Sequence, residues 1–270
     1  MSSVRFVVHE GRGAAVTAAA TLRERLEAAG VACDPADGSA DLVVAVGGDG
    51  TFLRAAHAAA SIRVPVLGVK VGRLGFLTEV EPAGAADLIL RAVAGDAPVE
   101  ERLAVVGEAH GGRSFEPQWA MNEIMVEKHA RHRLVRLRVE IDHEYLTTFS
   151  ADGVIVATPT GSTAYSFSAR GPIVAPSVDV LVVTAVAPHM VFDRSFVLGP
   201  EQTVTLEVVG DEAGLLSADG RASIELPVGS AVLIRRADEP ARFVRRPDAA
   251  PFVTRVREKF DLPGNPAADD

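Results

Sequence analysis

One five-residue segment, Gly47-Gly48-Asp49-Gly50-Thr51, combines residue types that suit phosphate chemistry. It follows an apolar run at 42–46 and precedes an alanine-rich run at 52–60, which predicts a strand, a glycine turn and a helix start. Glycines let a backbone approach a ligand closely, and the N–H groups at a helix start attract negative charge. Because Asp49 would repel phosphate, it indicates a bound metal ion or a hydroxyl group awaiting deprotonation. The same residues also fit an ordinary Asp-Gly turn without a ligand.

The histidines do not point to metal chemistry. The chain has seven of them, and only His129 and His132 have a spacing of interest, without a partner motif nearby. We therefore predict no fixed protein site for a metal ion.

Around the glycine segment, apolar runs alternate with helix-forming stretches through about residue 97. The strand runs lie at 4–8, 42–46 and 64–69, and the helical runs at 14–29, 52–60 and 85–93. Alternation of this kind predicts a parallel sheet, and hence a Rossmann-like α/β domain over residues 1–97.

After Pro98 the pattern changes to short strand runs with few helical residues. Residues 134–141 alternate between two faces, as in a half-buried antiparallel strand. One face has Leu134, Arg136, Arg138 and Glu140, and the other has Val135, Leu137, Val139 and Ile141. Further strand runs lie at 154–157, 180–186, 204–209, 223–226 and 231–235. We predict a mostly-β, β-sandwich-like domain over 98–250 and a terminal helix over 251–262 that packs back on the first domain. Two domains imply a cleft, and we expect the active site in it.

The composition is that of a folded, acidic protein. Of the 270 residues 48% are apolar and 23% charged, and the net charge of −9 argues against a nucleic-acid or membrane partner. Cys33 is the only cysteine, which excludes an internal disulfide and fits a reducing cytoplasm. No signal-peptide pattern opens the chain, and the most apolar run, 178–187, is too short to span a bilayer. We therefore expect a cytoplasmic protein.

Three motifs together resemble the NAD kinase family. They are the glycine segment at 47–51, Asn122-Glu123 before a strand, and residues 152–168, which read Asp-Gly-Val-Ile-Val-Ala-Thr-Pro-Thr-Gly-Ser-Thr-Ala-Tyr-Ser-Phe-Ser. They occur in the family's order and at its spacing, and the likeness covers nearly the whole chain. The loops at 72–78 and 217–221 are also similar to family landmarks. The glycine segment alone is less specific, since lipid kinases and phosphofructokinases carry similar turns.

The resemblance implies an enzyme that transfers the γ-phosphoryl group of ATP to the adenosine ribose 2′-hydroxyl of NAD, forming NADP. Polyphosphate is an alternative donor. Mg²⁺ or another divalent cation would accompany ATP, and no tightly bound organic cofactor is implied. Asp49 matches the family's catalytic aspartate, which takes the hydroxyl proton or orients that hydroxyl. Such transfer depends mostly on positioning and charge stabilisation, which rigid backbone donors and a metal ion supply.

The resemblance also assigns binding roles. The phosphate-binding residues would be Gly47, Gly48, Gly50 and Thr51. The NAD-binding residues would be Asp49, Gly50, Arg54, Asn122, Glu123, Arg133, Ser150, Asp152, Thr163, Ala164, Tyr165, Ser166, Phe167, Ser168 and Arg221. The amide and carboxylate of Asn122 and Glu123 suit a ribose diol. Arg133, Ser150 and Arg221 align with positions that act in part from a neighbouring subunit. A homodimer or homotetramer with shared site residues is therefore implied.

Plainer interpretations stay open for several of these residues. They are a surface arginine at 54, a strand start at 122–123, an Asp-Gly turn at 152, a helix start capped by Ser162, and a solvated face for Arg133.

Two positions depart from the family pattern. Lys70 stands where many relatives have asparagine, and it could pair with phosphate or with Asp49. Arg170 replaces a glycine of the Ser-Ala-Gly-Gly-Pro pattern, so we expect that residue 170 does not adopt backbone angles reserved for glycine. Its side chain would then face solvent, a subunit contact or a phosphate.

Two other functions are compatible with parts of the sequence. A lipid or sugar kinase would share only the glycine segment, and the motif at 158–165 argues against it. A non-catalytic NAD(P)-binding regulatory protein would fit the changes at Lys70 and Arg170, whereas the intact Asp49 argues against that alternative.

Overall fold

The structure is a computed structural model that describes residues 2–72, 75–111, 115–221 and 223–263. Residues 73 and 74 of the predicted glycine loop and the tail at 265–270, which we predict to be frayed, lie outside the described residues. The chain divides into two compact units, Met1–Glu101 with Ala241–Asp270, and Arg102–Pro240.

The elements follow one another with short connections. The helices are α1 (Gly13–Ala28), α2 (Asp49–Ser61), α3 (Pro82–Val93), the single turn α4 (Tyr165–Ser168) and α5 (Phe252–Lys259), and a 3₁₀ turn covers Gly161–Thr163. The strands are β1 (Ser3–Val8), β2 (Ala32–Cys33), β3 (Leu42–Gly47), β4 (Val66–Lys70), β5 (Val99–Arg102), β6 (Val105–His110), β7 (Gln118–Ala120), β8 (Glu123–Lys128), β9 (Val135–Ile141), β10 (Glu144–Ala151), β11 (Gly153–Ala157), β12 (Leu181–Val186), β13 (Phe196–Leu198), β14 (Val204–Val209), β15 (Gly214–Ala218), β16 (Ile224–Leu226), β17 (Ala231–Arg236) and β18 (Ala241–Val244).

The first unit is built on a six-stranded sheet in the order β2-β1-β3-β4-β18-β5. The pairs β1–β2, β1–β3, β3–β4 and β4–β18 are parallel. Every residue of β3 is buried, which explains its continuous apolar sequence, because parallel strands are covered on both faces. Helix α1 contributes a small apolar stripe to the core through Ala15, Ala19, Leu22 and Leu26.

The strand order reverses next to β1. The chain passes from β1 through α1 to β2 on one side, whereas β3 lies on the other side of β1. In open α/β sheets, ligands bind outside the carboxyl ends of the strands at such a reversal. Since β3 ends at Gly47, the glycine segment begins at this location.

The second unit consists of two antiparallel six-stranded sheets. Their orders are β10-β9-β14-β17-β6-β7 and β13-β12-β11-β8-β15-β16. One apolar core takes residues from both sheets, such as Val135 and Leu206 from the first and Ile124 and Val156 from the second. This is the packing of a β-sandwich. The predicted fold classes, a Rossmann-like α/β domain and a mostly-β domain, are confirmed.

The end of the second unit differs from the predicted boundary at residue 250. Strand β18 belongs to the first unit, where Phe243 pairs in parallel with Val66 of β4. The ring of Phe243 also packs at 5.1 Å from that of Phe52 in α2. A four-residue strand carries too little sequence pattern to show which sheet it joins.

The hairpin between β9 and β10 was not predicted from the sequence. Its turn is formed by Asp142 and His143, which both have positive φ, at +51° and +69°. Such turns are usually recognised by a glycine or asparagine, and this turn has neither. No helix in the described residues combines the length and the apolar character needed to cross a membrane.

Candidate active site

In the first unit, the glycine segment has the predicted strand–turn–helix geometry. Gly47 ends β3, Gly48 caps α2 and Asp49 is the first helical residue. A Cβ atom on Gly47 would lie 2.6 Å from Thr51 Oγ1 and 3.2 Å from His9 Cβ, so only glycine lets the helix start this close to the strand. Thr51 is buried, and its hydroxyl has no hydrogen-bond partner among the described residues. A bound phosphate oxygen would satisfy this hydroxyl.

The Asp49 carboxylate is held by the loop that follows β4. Its Oδ2 accepts a hydrogen bond from Phe76 N at 3.0 Å, and its Oδ1 accepts one from Leu77 N at 3.2 Å. The loop approaches so closely that a Cβ atom on Gly75 would overlap the carboxylate. Asp49 therefore has a fixed orientation at the amino end of α2, where the helix dipole favours negative charge.

The C-terminal helix supports this loop. Arg255 of α5 donates from Nη1 to Phe76 O at 3.2 Å and pairs through Nη2 with Glu79 Oε2 at 2.6 Å. The Glu79 side chain is only 3% exposed and also pairs with Arg245, at 3.3 Å. The ring of Phe260 lies 5.9 Å from that of Phe76. These contacts link the end of the chain to the loop that positions Asp49. The sequence predicted a terminal helix that packs back on the first domain, but it did not indicate which residues make the contacts.

Lys70 does not make the ion pair with Asp49 that was one of its two expected contacts. Between described residues, its Nζ pairs with Glu81 Oε1 at 3.2 Å rather than with Asp49. The expected pairing with Asp49 is therefore wrong, because Asp49 is bound by backbone N–H groups and Glu81 offers a nearby carboxylate. Arg54 lies on the exposed face of α2, as the surface interpretation requires.

In the second unit, Asn122 and Glu123 lie where β8 begins, against the turn that follows β11. Thr158 N donates to Asn122 O at 2.8 Å, and Thr158 Oγ1 donates to Met121 O at 2.6 Å. A Cβ atom on Gly161 would overlap the Asn122 carbonyl. The threonine and glycine of the 158–161 segment thus dock this turn onto the Asn122 backbone.

Three buried oxygens in these segments have no hydrogen-bond partner in the described part of the chain. They are Asn122 Oδ1, Glu123 Oε2 and Thr160 Oγ1. Unpaired buried polar atoms are rare in folded proteins, and a cluster of them indicates a site whose ligand completes the bonds. Burial raises the pKa of the Glu123 carboxyl to about 8, and the charge of Asp219 is the second cause. Perturbed carboxyl groups of this kind concentrate at functional sites.

The sequence assigned no role to Thr160 or Asp219. Thr160 lies inside the recognised motif, between Pro159 and Gly161, and its burial is what distinguishes it. Asp219 follows β15 and accepts hydrogen bonds from the backbone at 121–123. Its only sequence signal was the likeness of 217–221 to a family landmark.

The segment 163–168, which we predict to contact the dinucleotide, has both exposed and buried side chains. Tyr165 and Phe167 are 43% and 39% exposed and are available to a ligand. Ser166 is buried, and its hydroxyl lies 3.4 Å from Thr184 Oγ1, which favours a structural role. Thr163 Oγ1 donates to Thr160 O at 3.2 Å. Ala164 caps α4, and Ser168 is its exposed last residue.

Ser162 does not cap α4. Its hydroxyl donates to Pro159 O at 2.7 Å and accepts from Val174 N at 2.9 Å. Ser162 therefore ties the 3₁₀ turn to the segment that follows α4, and the capping interpretation is wrong.

The remaining predicted residues make contacts within the second unit. Asp152 pairs with Lys128. Arg133 is largely exposed and pairs with Glu212 at 3.3 Å, as the solvated-face interpretation requires. Ser150 lies on β10, opposite Arg136 of β9. Arg221 donates to Ala218 O at 3.0 Å and to Trp119 O, so its guanidinium supports the turn around Asp219.

The expectation for Arg170 is wrong. Its φ is +67°, in the left-handed region that favours glycine. An L-residue reaches this region at a cost of about 1 kcal/mol, and Arg170 N donates to Phe167 O at 2.9 Å there. Arg170 thus adopts a backbone conformation that favours glycine in the turn after α4.

The described residues contain no group of three or more His, Cys, Asp or Glu side chains arranged to hold a metal ion. We therefore assign no residue of the chain as a metal ligand.

Known proteins resemble this chain over most of its length. The model of the ATP-NAD kinase N-terminal domain matches residues 4–97, and that of the ATP-NAD kinase C-terminal domain matches residues 121–246. The NAD kinase of Mycobacterium tuberculosis (strain CDC 1551 / Oshkosh) is 44% identical over 231 residues, which cover 84% of this chain and 74% of the relative. The NAD kinase of Rhodococcus opacus (strain B4) is 40% identical over 225 residues, covering 83% of this chain and 70% of the relative.

Solved structures of kinases share the fold. Yeast NADH kinase complexed with NADH has a TM-score of 0.86 at 23% identity, covering 98% of this chain and 89% of that one, and this likeness shows the fold alone. The NAD kinase from Archaeoglobus fulgidus in complex with ATP has a TM-score of 0.74 at 25% identity, covering 97% of both chains. With family models matched in both halves and relatives at 40% identity or more, the chain belongs to the NAD kinase family, whose members are enzymes.

Proposed function

We propose that the protein transfers the γ-phosphoryl group of ATP to the adenosine ribose 2′-hydroxyl of NAD and so forms NADP. The observation that carries this proposal is the Asp49 carboxylate, fixed by two backbone N–H groups at the amino end of α2. A group in this position is suited to take or orient a hydroxyl proton while the helix start binds phosphate oxygens.

The first unit would bind the phosphates. Gly47, Gly48 and Gly50 keep the backbone free of side chains beside the start of α2, and the unpaired Thr51 hydroxyl offers a donor. Most of the catalytic effect of such a site comes from holding the reacting groups in line and balancing charge. The related Archaeoglobus fulgidus enzyme was solved with ATP, which supports ATP as the donor here.

The second unit would bind the dinucleotide. The unpaired oxygens of Asn122, Glu123 and Thr160 suit ribose hydroxyls, which both donate and accept hydrogen bonds. The exposed ring of Tyr165 offers a stacking surface to a base.

Mg²⁺ would arrive with ATP and neutralise charge on the phosphates during transfer. We further propose that the protein acts in the cytoplasm as a homodimer or homotetramer, in which Arg133, Ser150 or Arg221 reach the ligand of a neighbouring subunit. Chromatography with light scattering tests the oligomer, and a monomer that is fully active at assay concentration would exclude shared sites.

The decisive test is Asp49→Asn, assayed for NADP formation from NAD and Mg²⁺ with either ATP or polyphosphate. We expect the rate to fall by about 10²- to 10⁴-fold, the range of general acid–base catalysis, while NAD binding is retained. Asp41→Asn is a matched control, because Asp41 also accepts a backbone N–H bond, from Ser3 at 2.8 Å.

An undiminished rate in Asp49→Asn would refute the role of Asp49. Tight NAD binding by the unchanged protein without NADP formation from either donor would instead favour the regulatory alternative. A lipid or sugar kinase would show turnover only with its own substrate in a panel with labelled ATP.

A further inference from the structure

Asp219 connects three consecutive backbone N–H groups at the start of β8. Its Oδ2 accepts from Met121 N at 2.8 Å, and its Oδ1 accepts from Asn122 N at 2.8 Å and Glu123 N at 3.2 Å. In return, Asp219 N donates to Glu123 O at 3.1 Å. To make these bonds, Asp219 adopts a φ of +51°, a conformation that costs an L-residue about 1 kcal/mol. The turn after β15 is therefore shaped around the residues of the ribose-binding pair.

These contacts require Asp219 to be an anion. A carboxylate accepts hydrogen bonds with both oxygens, whereas a carboxylic acid would direct its own O–H against an N–H donor. Hydrogen bonds that involve a charged acceptor are also the stronger ones. Burial has the largest influence and leaves the pKa of Asp219 above its usual value, while the N–H donors of residues 121–123 and the charge of Arg221 act in the opposite direction.

Glu123 has the opposite surroundings. It is buried, and its Oε2 has no hydrogen-bond partner among the described residues. The charge of Asp219 contributes to the raised pKa of Glu123. Glu123 in turn makes a small contribution to the raised pKa of Tyr165. Two neighbouring buried carboxyl groups do not both ionise readily. Since Asp219 accepts hydrogen bonds from three backbone N–H groups, Asp219 is the ionised member of the pair and Glu123 keeps its proton.

We propose that Asp219 is a positioning residue for the ribose-binding pair, and that it keeps Glu123 in the neutral form that donates a hydrogen bond to a ribose oxygen. Asn122 Oδ1 would then accept from a ribose hydroxyl while Glu123 donates to one. This inference rests on the proposed function, because it takes NAD as the ligand of Asn122 and Glu123. With the pKa of Glu123 at about 8, NAD affinity is full at lower pH and is lost as the pH rises above that value.

The sharpest test is Glu123→Gln, because glutamine is a neutral donor at every pH. NAD affinity is measured by calorimetry between pH 6 and pH 9. We expect Glu123→Gln to stay within about threefold of the unchanged protein at pH 7 and to be flat with pH, whereas the unchanged protein weakens by up to about tenfold per pH unit above 8. A loss of more than about tenfold in Glu123→Gln at pH 7 would show that Glu123 binds as a carboxylate and would overturn the proposal.

Asp219→Asn tests the positioning role. We expect NAD affinity at pH 7 to fall by more than about tenfold while ATP affinity is unchanged, because two hydrogen-bond-accepting oxygens become one. The Glu123 carboxyl, followed by NMR of ¹³C-labelled glutamate, should titrate at lower pH in this variant. An unchanged Glu123 titration, or equal losses for NAD and ATP, would contradict the proposal.

Asp142→Asn is the matched control. Asp142 also has a φ of +51°, accepts from Thr203 N at 2.8 Å and from Gln202 Nε2 at 2.9 Å, and lies in the same unit. Because Asp142 is exposed, this variant should lose less stability, and it should show no change in NAD affinity or in the titration of Glu123. If Asp219→Asn does not fold, the pH dependence of Glu123→Gln still decides whether Glu123 binds NAD as a neutral donor.

If the proposed function is wrong, the same experiments give a different result. In that case the unchanged protein forms no NADP, yet Glu123 still titrates near pH 8 in the free protein and shifts in Asp219→Asn.

Discussion

The two units each present a carboxyl group to the proposed reaction, in opposite surroundings. Asp49 of the first unit is half-buried, and both of its oxygens accept backbone hydrogen bonds, from Phe76 and Leu77. Glu123 of the second unit is buried, has an oxygen without a partner in the described chain, and lies beside the charge of Asp219. The first arrangement fixes the orientation of the carboxyl group, and the second favours a neutral acid that donates a hydrogen bond. Residue type alone does not determine the role of a carboxyl group, because donors and burial decide its charge.

Among the variants that test this comparison, Gly75→Ala in the first unit should have the largest effect on activity. The added methyl group overlaps the Asp49 carboxylate, so the loop or the aspartate has to move. A displacement of about 1 Å in a catalytic group costs about 100-fold in rate, and we expect kcat for NADP formation to fall by at least this factor. Gly84→Ala is the control, since its nearest contact, with Val80 Cγ2 at 3.5 Å, is an ordinary one. Equal activity in the two variants would show that Asp49 needs no fixed position.

Glu123→Ala should affect the second unit more selectively. Removing the side chain eliminates a hydrogen bond to the ribose, and we expect the KM for NAD to rise about tenfold. The KM for ATP should change less, because Glu123 is assigned to NAD alone. Steady-state kinetics with each substrate varied in turn give both constants. Equal or reversed changes in the two constants would remove Glu123 from the ribose site.

Arg255→Ala tests whether the loop around Asp49 depends on the C-terminal helix. The substitution removes the bonds of Arg255 to Phe76 O and Glu79, while Glu79 keeps Arg245. We expect a loss of about 2 kcal/mol in the free energy of unfolding, measured by urea denaturation, and a several-fold lower kcat with little change in the KM for NAD. Arg257→Ala is the control on the exposed face of the same helix. If both variants behave alike, α5 does not position the loop.

The smallest effect should come from Arg170→Gly. Glycine relieves the cost of the φ of +67°, but it also adds entropy to the unfolded chain. We expect a net gain of less than about 1 kcal/mol in the free energy of unfolding, measured by urea denaturation, and no change in NAD affinity. An altered affinity would mean that backbone strain after α4, in addition to Asp219, sets the geometry of the second unit's site.

The local features were predictable from the sequence. The glycine segment identified a strand-to-helix turn, because glycine spacing and apolar periodicity are properties of neighbouring residues. The alternation at 134–141 identified β9 in the same way, and its apolar positions Val135, Leu137 and Val139 are buried. The motif at 158–168 is specific enough to indicate the family by its residues alone, and the match to the C-terminal domain of that family confirms it.

The tertiary structure alone decided which distant residues hold these motifs. Asp219 lies 98 residues from Met121, and Arg255 lies 179 residues from Phe76, yet each pair is hydrogen-bonded. Strand β18 likewise returns to the first unit's sheet after the whole second unit. Sequence periodicity encodes how a segment folds and which face it buries. It does not encode the partner of a buried polar group, because that partner is determined only when remote segments pack together.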